Sequence, residues 1–221
     1  MLVACWSTKG GTGTTTVAAA LALLCARTAS GALAIDLDGD LPAALGLSEG
    51  RPAPGIADWL AAAPNVPADG LARLEEPAGP GLAVVRRGHG PLAVPAAELL
   101  AGVLTAEPRT VVVDCGRLDL DADDGGGVGR VLAAGAGRSL LVLRACYLAL
   151  RRAKSVPLRP SGVVLVSEEG RSLTVADVED VTGVPVLAKV RVTEHVARAV
   201  DAGLLARDLP RTLARDLRHA A

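Results

Sequence analysis

Short runs of apolar residues alternate along this chain with segments that have helical spacing. The runs at residues 2–6, 32–37 and 110–114 are dominated by Val, Leu, Ile and Ala. A strand that is apolar on both faces is typical of a parallel sheet that is covered by helices on both sides. The alternation of such strands with helices predicts an α/β protein with a mostly parallel central sheet.

The remaining elements predicted from the sequence continue this alternation. Further strands are predicted at residues 82–85, 139–143, 163–166 and near 184–190. Helices are predicted at residues 15–27, 42–47, 56–63, 96–104, 131–136, 148–155, 193–202 and 204–219, and one more element at 175–181. Because neither an internal repeat nor a long linker interrupts the series, residues 1–221 are predicted to form a single domain.

The composition excludes several classes of protein. Half of the 221 residues are hydrophobic and 21% are charged, which excludes disorder for most of the chain. A net charge of −1 excludes a strongly basic nucleic-acid coat protein. No apolar run approaches the ~18–20 residues that span a bilayer, and the N-terminus lacks the pattern of a signal peptide. We therefore expect a cytoplasmic protein whose widely spaced cysteines are buried thiols.

A loop rich in glycine and threonine joins the first predicted strand to the first predicted helix. Its sequence is Lys9-Gly10-Gly11-Thr12-Gly13-Thr14-Thr15-Thr16. Glycines let backbone N–H groups approach phosphates closely, and the N-terminus of the following helix adds a partial positive charge. The Thr15 hydroxyl is suited to complete a Mg²⁺ shell. The loop is therefore predicted to bind a phosphate group.

Two positions of the loop depart from the pattern G-x-x-x-x-G-K-[ST]. Thr8 stands at the first glycine, and Thr14 stands at the lysine. A charge-assisted hydrogen bond is worth ~1.5–3 kcal/mol, so the missing ammonium lowers the expected ATP affinity roughly ten- to hundredfold. For the loop taken alone, the alternative is a glycine-rich turn with no ligand.

Acidic residues at the ends of two predicted strands favour the phosphate-loop interpretation. Asp36 and Asp38 end the second strand, and Asp114 follows three valines in the form of a Walker B strand. Because open parallel sheets bind ligands at the carboxyl ends of their strands, we expect Asp38 and Asp114 beside the loop. One or two carboxylates with phosphate oxygens and water suit Mg²⁺.

In these motifs the chain resembles the ParA/MinD group of deviant Walker A ATPases. The resemblance rests on Lys-Gly-Gly-x-Gly followed by Thr-Thr, on the Asp-x-Asp segment and on the Walker B strand. It implies a three-layer P-loop NTPase fold of the SIMIBI type, with ATP and Mg²⁺ as ligands. The small residue at position 14 resembles the CpaE/TadZ branch, which localises Tad/Flp pilus machinery, and related septum-site proteins.

The resemblance also implies a role for each matching residue. Lys9 matches the signature lysine that reaches the phosphates of the partner subunit in a dimer, and Asp38 matches the carboxylate that positions the attacking water. Thr15 and Asp114 match the residues that hold Mg²⁺, the latter through water. The implied nucleotide-binding residues are Lys9, Gly10, Gly11, Thr12, Gly13, Thr14, Thr15 and Thr16.

Three functions are compatible with the resemblance. The first is an ATP-dependent dimerisation switch, with weak or absent hydrolysis, that positions pilus or secretion machinery, the septum or chromosomes. The second is a nucleotide-inactive scaffold of the same fold that binds partner proteins. The third is a metabolic ATP-dependent enzyme of the wider family, such as a cobyrinate amidase or a dethiobiotin synthase. The sequence has no recognisable substrate-pocket signature, which favours the first two, and Thr14 decides between them.

Three other charged segments carry weaker signals. The leucines and arginines of residues 204–219 are compatible with a helix on a membrane surface, but packing on the sheet is favoured because Pro210 interrupts the segment. Basic residues between positions 144 and 159 suit non-specific contact with DNA, which the net charge does not support. Residues 119–125 resemble a calcium loop with the wrong residues at two positions, so a mobile loop is expected over 116–129.

Overall fold

One sheet is the centre of the fold. The computed structural model describes residues 1–48, 53–67, 69–118, 127–170 and 172–221. The strands within these ranges are β1 (Leu2–Ser7), β2 (Ala32–Asp36), β3 (Glu76–Gly79), β4 (Leu82–Val85), β5 (Thr110–Arg117), β6 (Arg138–Arg144), β7 (Gly162–Ser167) and β8 (Val186–Arg191). They form one sheet in the order β3-β4-β2-β5-β1-β6-β7-β8, in which only β3 is antiparallel to its neighbour.

Helices cover both faces of this sheet. They are α1 (Thr14–Cys25), α2 (Leu41–Ala44), α3 (Ile56–Ala62), α4 (Ala97–Ala106), α5 (Gly127–Gly135), α6 (Tyr147–Lys154), α7 (Val175–Thr182), α8 (Glu194–Asp201) and α9 (Arg211–Leu217). Buried residues of α1, α2, α8 and α9 form one hydrophobic core with the sheet, and those of α3 to α7 form the other. The predicted α/β architecture with three layers is confirmed.

The first strand shows why the apolar runs form central strands. All six residues of β1 are buried, and its side chains alternate between the two cores. Cys5 packs on the face of α1, while Trp6 packs on the opposite face and is fully buried. The Trp6 indole N–H donates to the Ser139 hydroxyl of β6 at 3.0 Å, so the one polar atom of this side chain has a partner.

The structure differs from the prediction in one unpredicted strand and in the bounds of two predicted segments. Strand β3 was not predicted, because its sequence Glu-Pro-Ala-Gly has no strand pattern, and it forms the antiparallel edge where a proline is tolerated. The helix predicted at 204–219 is wrong at its start, because Pro210 has an extended backbone and α9 begins only at Arg211. The loop predicted at 116–129 is wrong at both ends, since β5 reaches Arg117 and α5 begins at Gly127. The calcium-like segment 119–125 lies outside the described residues.

The C-terminal leucines belong to the core. Leu205, Leu213 and Leu217 are buried against the sheet on the α1 side, and Leu209 is partly buried there. Packing on the sheet is therefore confirmed as the role of these leucines. Among the residues described, no helix has the length and apolar character needed to cross a membrane.

Candidate functional site

The loop between β1 and α1 is shaped by glycines at the carboxyl edge of the sheet. Gly11 and Gly13 have φ values of +73° and +87°, which only glycine adopts readily. A Cβ atom placed at Gly10, Gly11 or Gly13 would meet no atom within 4 Å, so the space beside these backbones is open. No side chain of the described residues caps α1, so its first N–H groups are available to an anion.

This open space is part of a cleft of about 430 Å³. The loop forms one wall, and three acidic residues from other segments, Asp38, Asp40 and Asp201, are among the residues that line the rest. Residues that line the cleft include Gly10, Gly11, Thr12, Gly13, Thr14, Thr15, Thr16, Asp38, Asp40, Gly116, Arg117 and Asp201. The arrangement combines amide donors on one side with carboxylates on the other, as a phosphate with a bound cation requires.

Thr14, at the position of the lysine, is turned toward its own loop. Its hydroxyl lies 3.0 Å from the hydroxyl of Thr12, and both side chains are buried. The Ser7 hydroxyl donates to the Lys9 carbonyl at 3.1 Å, which ties the start of the loop to the end of β1. These hydroxyl contacts hold the loop in shape without placing a cation in it.

Two carboxylates lie side by side beneath the cleft. Asp36 and Asp114 are direct neighbours in the register of β2 and β5, and both are buried. Asp114 Oδ1 accepts from the Gly116 N–H at 3.1 Å, and Asp36 Oδ1 accepts from the Gly39 N–H at 2.8 Å. Within the described residues, neither Oδ2 atom has a hydrogen-bond partner. The pair therefore holds two buried oxygens that are candidate ligands for a cation.

Burial raises the pKa of both carboxylates. Burial is the largest cause for Asp114, whose pKa rises to about 7 although the Thr15 side chain and the Gly116 N–H lower it. The pKa of Asp36 rises to about 6 for the same main reason, with the N–H groups of Gly39 and Asp38 in opposition. Buried carboxylates without a cation are costly when ionised, so this pair fits a cation.

The residues present fit Mg²⁺ bound together with a phosphate. Asp114 and Thr15 would hold it as predicted, and Asp36 is the additional acid beside them. In the part of the chain that the structure describes, no three His, Cys, Asp or Glu side chains form a metal-binding group. A site of this kind suits Mg²⁺, which usually takes one or two carboxylates and completes its shell with phosphate oxygens and water.

Asp38 and Lys9 occupy different positions relative to the cleft. The Asp38 side chain lies over Gly116, where an added Cβ would be 2.3 Å from its carboxyl carbon. Partial burial and Asp40 raise the pKa of Asp38, and Arg87 lowers it. Lys9 is partly exposed and is not among the described residues that line the cleft. Of the predicted site residues, Lys9 and the fully buried Asp114 are therefore the two that are not among the described lining residues.

Sequence reasoning missed several residues at this edge. The sequence identifies Asp36 as a strand end and not as the buried neighbour of Asp114, although the i, i+2 spacing of Asp36 and Asp38 could have indicated that both acids point to the same face of the sheet. Asp40, Arg117 and Asp201 also line the cleft, and no local pattern marks them. Arg144 is the first of the basic residues between positions 144 and 159 for which the sequence indicates at most a contact with DNA, whereas its guanidinium contacts the loop.

A parallel sheet with a glycine loop before its first helix and an acid at the end of the neighbouring strand defines the P-loop NTPase class of fold. Residues 3–206 match the CbiA family, described as the CobQ/CobB/MinD/ParA nucleotide binding domain. The chain belongs to this family. No curated protein matches the chain.

Solved structures share the fold at low sequence identity. The MinD cell division protein of Aquifex aeolicus is 18% identical, with a TM-score of 0.74 over 98% of this chain and 93% of that one. The ParA family ATPase of Chlorobium tepidum TLS is 18% identical, with a TM-score of 0.73 over 98% and 96%. The McdA(D38A)–ATP complex of Cyanothece is 18% identical, with a TM-score of 0.70 over 99% and 95%.

Proposed function

We propose that the chain binds ATP with Mg²⁺ in this cleft and uses the nucleotide to join two copies of itself. One observation carries the proposal: the open space beside the loop glycines lies at the same edge of the sheet as two buried carboxylates, each of which has an oxygen without a partner in the described residues. Family membership supports a nucleotide as the ligand, and the related McdA(D38A) was solved with ATP. Bound Mg²⁺ would neutralise phosphate charge beside Asp114 and Thr15.

The separate position of Lys9 supports its action on a second subunit. Lys9 is a partly exposed loop residue that is not among the described lining residues of the cleft, and this supports a contact of its ammonium with the phosphates of a partner rather than with its own. Asp38 lines the cleft, where a carboxylate can orient water. Because Thr14 supplies no charge, hydrolysis is expected to be slow or absent.

The wider role follows from the family. We infer that the dimer is a switch that positions other cellular machinery through partner proteins, in the cytoplasm, and that residues 1–221 form one domain. The small residue at position 14 supports a place in the CpaE/TadZ branch of deviant Walker A proteins. DNA and membrane surfaces have no specific support as partners.

Calorimetry and light scattering test this proposal. With Mg²⁺, ATP is expected to bind and to double the molar mass, whereas ADP is expected to bind without dimerisation. Lys9→Ala should keep most of the ATP affinity and stay monomeric, because it removes only the contact to the partner. Binding of GTP in place of ATP would mean that the cleft takes guanine rather than adenine, and the proposed dimerisation switch would remain. No binding of any nucleotide at millimolar concentration would leave the nucleotide-inactive scaffold.

A further inference from the structure

The cleft has few cations for a ligand that carries several negative charges. Asp38, Asp40 and Asp201 line it, and the Thr14 hydroxyl is engaged with Thr12. Arg117 is the basic side chain among the described lining residues. A triphosphate needs positive charge close to the loop, because preorganised charge stabilises phosphate far better than water does.

Arg144 places a cation against the loop from the neighbouring strand. It is the last residue of β6, which runs parallel to β1, so it reaches the same edge of the sheet as the loop. Its Nη1 donates to the Gly11 carbonyl at 3.3 Å, and its Nη2 forms an ion pair with Glu168, which directly follows β7. Its Nε is buried and has no acceptor among the described residues.

The position of Arg144 differs from that of the other basic residues that follow it. Arg151, Arg152 and Lys154 are exposed on α6. Arg144 instead lines a groove of about 210 Å³ together with Gly11, Gly13 and other residues near the start of α1. This groove shares Gly11, Gly13 and other loop residues with the main cleft, so the guanidinium lies against a residue that also lines the space proposed for the nucleotide.

We propose that Arg144 is the positioning residue that replaces the missing lysine of the phosphate loop. Its hydrogen bond holds the Gly11 carbonyl, and its charge lies beside the phosphates that the loop binds. Glu168 holds the guanidinium in place and partly neutralises it. The inference rests on the proposed nucleotide function. In this chain the positive charge comes from the end of β6, whereas the loop pattern has a lysine at the start of α1.

A double-mutant cycle with Arg144→Ala and Thr14→Lys tests the proposal directly. Affinities for a non-hydrolysable ATP analogue and for ADP are measured by calorimetry with Mg²⁺. Arg144→Ala is expected to weaken binding of the ATP analogue about tenfold or more, and binding of ADP less, because the triphosphate carries more charge. Thr14→Lys should restore the affinity of Arg144→Ala while raising that of the unaltered chain much less.

Two further variants separate the charge from a purely structural role. Arg144→Lys should retain most of the preference for ATP over ADP, since it keeps the charge. Glu168→Gln should raise affinity for the ATP analogue severalfold, because it removes a negative charge beside the site, and it tests the proposal even if Arg144→Ala fails to fold. Arg151→Ala, on the exposed face of α6, is the matched control and should bind as the unaltered chain does.

Each outcome decides between the two proposals. If the unaltered chain binds nucleotide and Thr14→Lys raises affinity equally with and without Arg144, the inference about Arg144 is wrong and the nucleotide function stands. The same holds if Arg144→Ala behaves like Arg151→Ala, or if Glu168→Gln does not strengthen binding. If no variant binds nucleotide, both proposals are wrong.

Discussion

Replacing Asp114 by asparagine is expected to stabilise the chain at about pH 8 in the absence of Mg²⁺. Asp114 is fully buried, and one of its oxygens has no partner among the described residues. Burial raises its pKa from 3.8 to about 7, so above that pH the folded chain holds a charge that the unfolded chain exposes to water. A rise of this size corresponds to roughly 4 kcal/mol, which is the upper limit of the expected gain.

The gain is expected to depend on pH in a defined direction. A carboxyl whose pKa is raised on folding contributes stability below its unfolded pKa, and that contribution is lost as the pH rises through its folded pKa. The difference in free energy of unfolding between Asp114→Asn and the unaltered chain should therefore be small near pH 4 and should grow up to about pH 7. The pKa of Asp36 rises from 3.8 to about 6, so this residue should lower the stability of the unaltered chain as the pH rises between those two values.

The same substitution is expected to remove the response to Mg²⁺ and nucleotide. A ligand that binds only the folded state raises its stability in proportion to RT ln(1 + [L]/Kd). Mg²⁺ with ATP should therefore stabilise the unaltered chain and leave Asp114→Asn nearly unchanged. Opposite effects on intrinsic stability and on ligand-induced stability are the expected signature of an acid that is kept for binding rather than for folding.

Urea unfolding followed by far-ultraviolet circular dichroism measures both effects. Asp180→Asn, which changes an exposed acid on α7, is the control and should alter the free energy of unfolding by less than about 0.5 kcal/mol at every pH. A lower stability of Asp114→Asn at about pH 8, or a difference that does not change with pH, would show that the carboxylate is stabilised by contacts other than those described.

The sequence was sufficient to predict the central strands and the edge at which the site lies. Strands such as β1 and β5 are apolar on both faces because helices cover both sides of the sheet, and this pattern can be recognised from the sequence alone. The edge strand β3 was not predictable in this way. Its four residues include Pro77 and Gly79, and it exists because β4 offers a free edge for antiparallel pairing rather than because of its own propensity.

The site was predictable where its residues are close in sequence and not where they come from different strands. The loop and Asp114 follow local patterns, so their meeting at one edge follows from parallel topology. The contact between Arg144 and the Gly11 carbonyl joins residues that are 133 positions apart. The hydrogen bond between Thr12 and Thr14 depends on side-chain orientation, which the loop pattern does not specify. Such contacts depend on register and rotamer, which composition and spacing leave open.

Replacing Trp6 by alanine is expected to cause the largest loss of stability, about 3–5 kcal/mol. Trp6 is fully buried between the sheet and its helices, and it is the last core residue before the phosphate loop. Removing the indole ring leaves a cavity in a core that consists mainly of Ala, Val and Leu, whose short side chains cannot extend to fill it. The Ser139 hydroxyl also loses the indole N–H, its donor at 3.0 Å.

Two milder variants divide this loss between packing and hydrogen bonding. Trp6→Phe keeps much of the ring and removes the donor, and Ser139→Ala leaves the buried indole N–H without its acceptor, so each is expected to cost about 1–3 kcal/mol. Leu99→Ala, at a residue of α4 that is 43% exposed, should change stability by less than about 0.5 kcal/mol. Circular dichroism is the suitable probe because Trp6→Ala removes one of two tryptophans. A loss below about 1 kcal/mol for Trp6→Ala would mean that neighbouring elements close over the cavity, so the strand before the loop would not be the rigid support that the site requires.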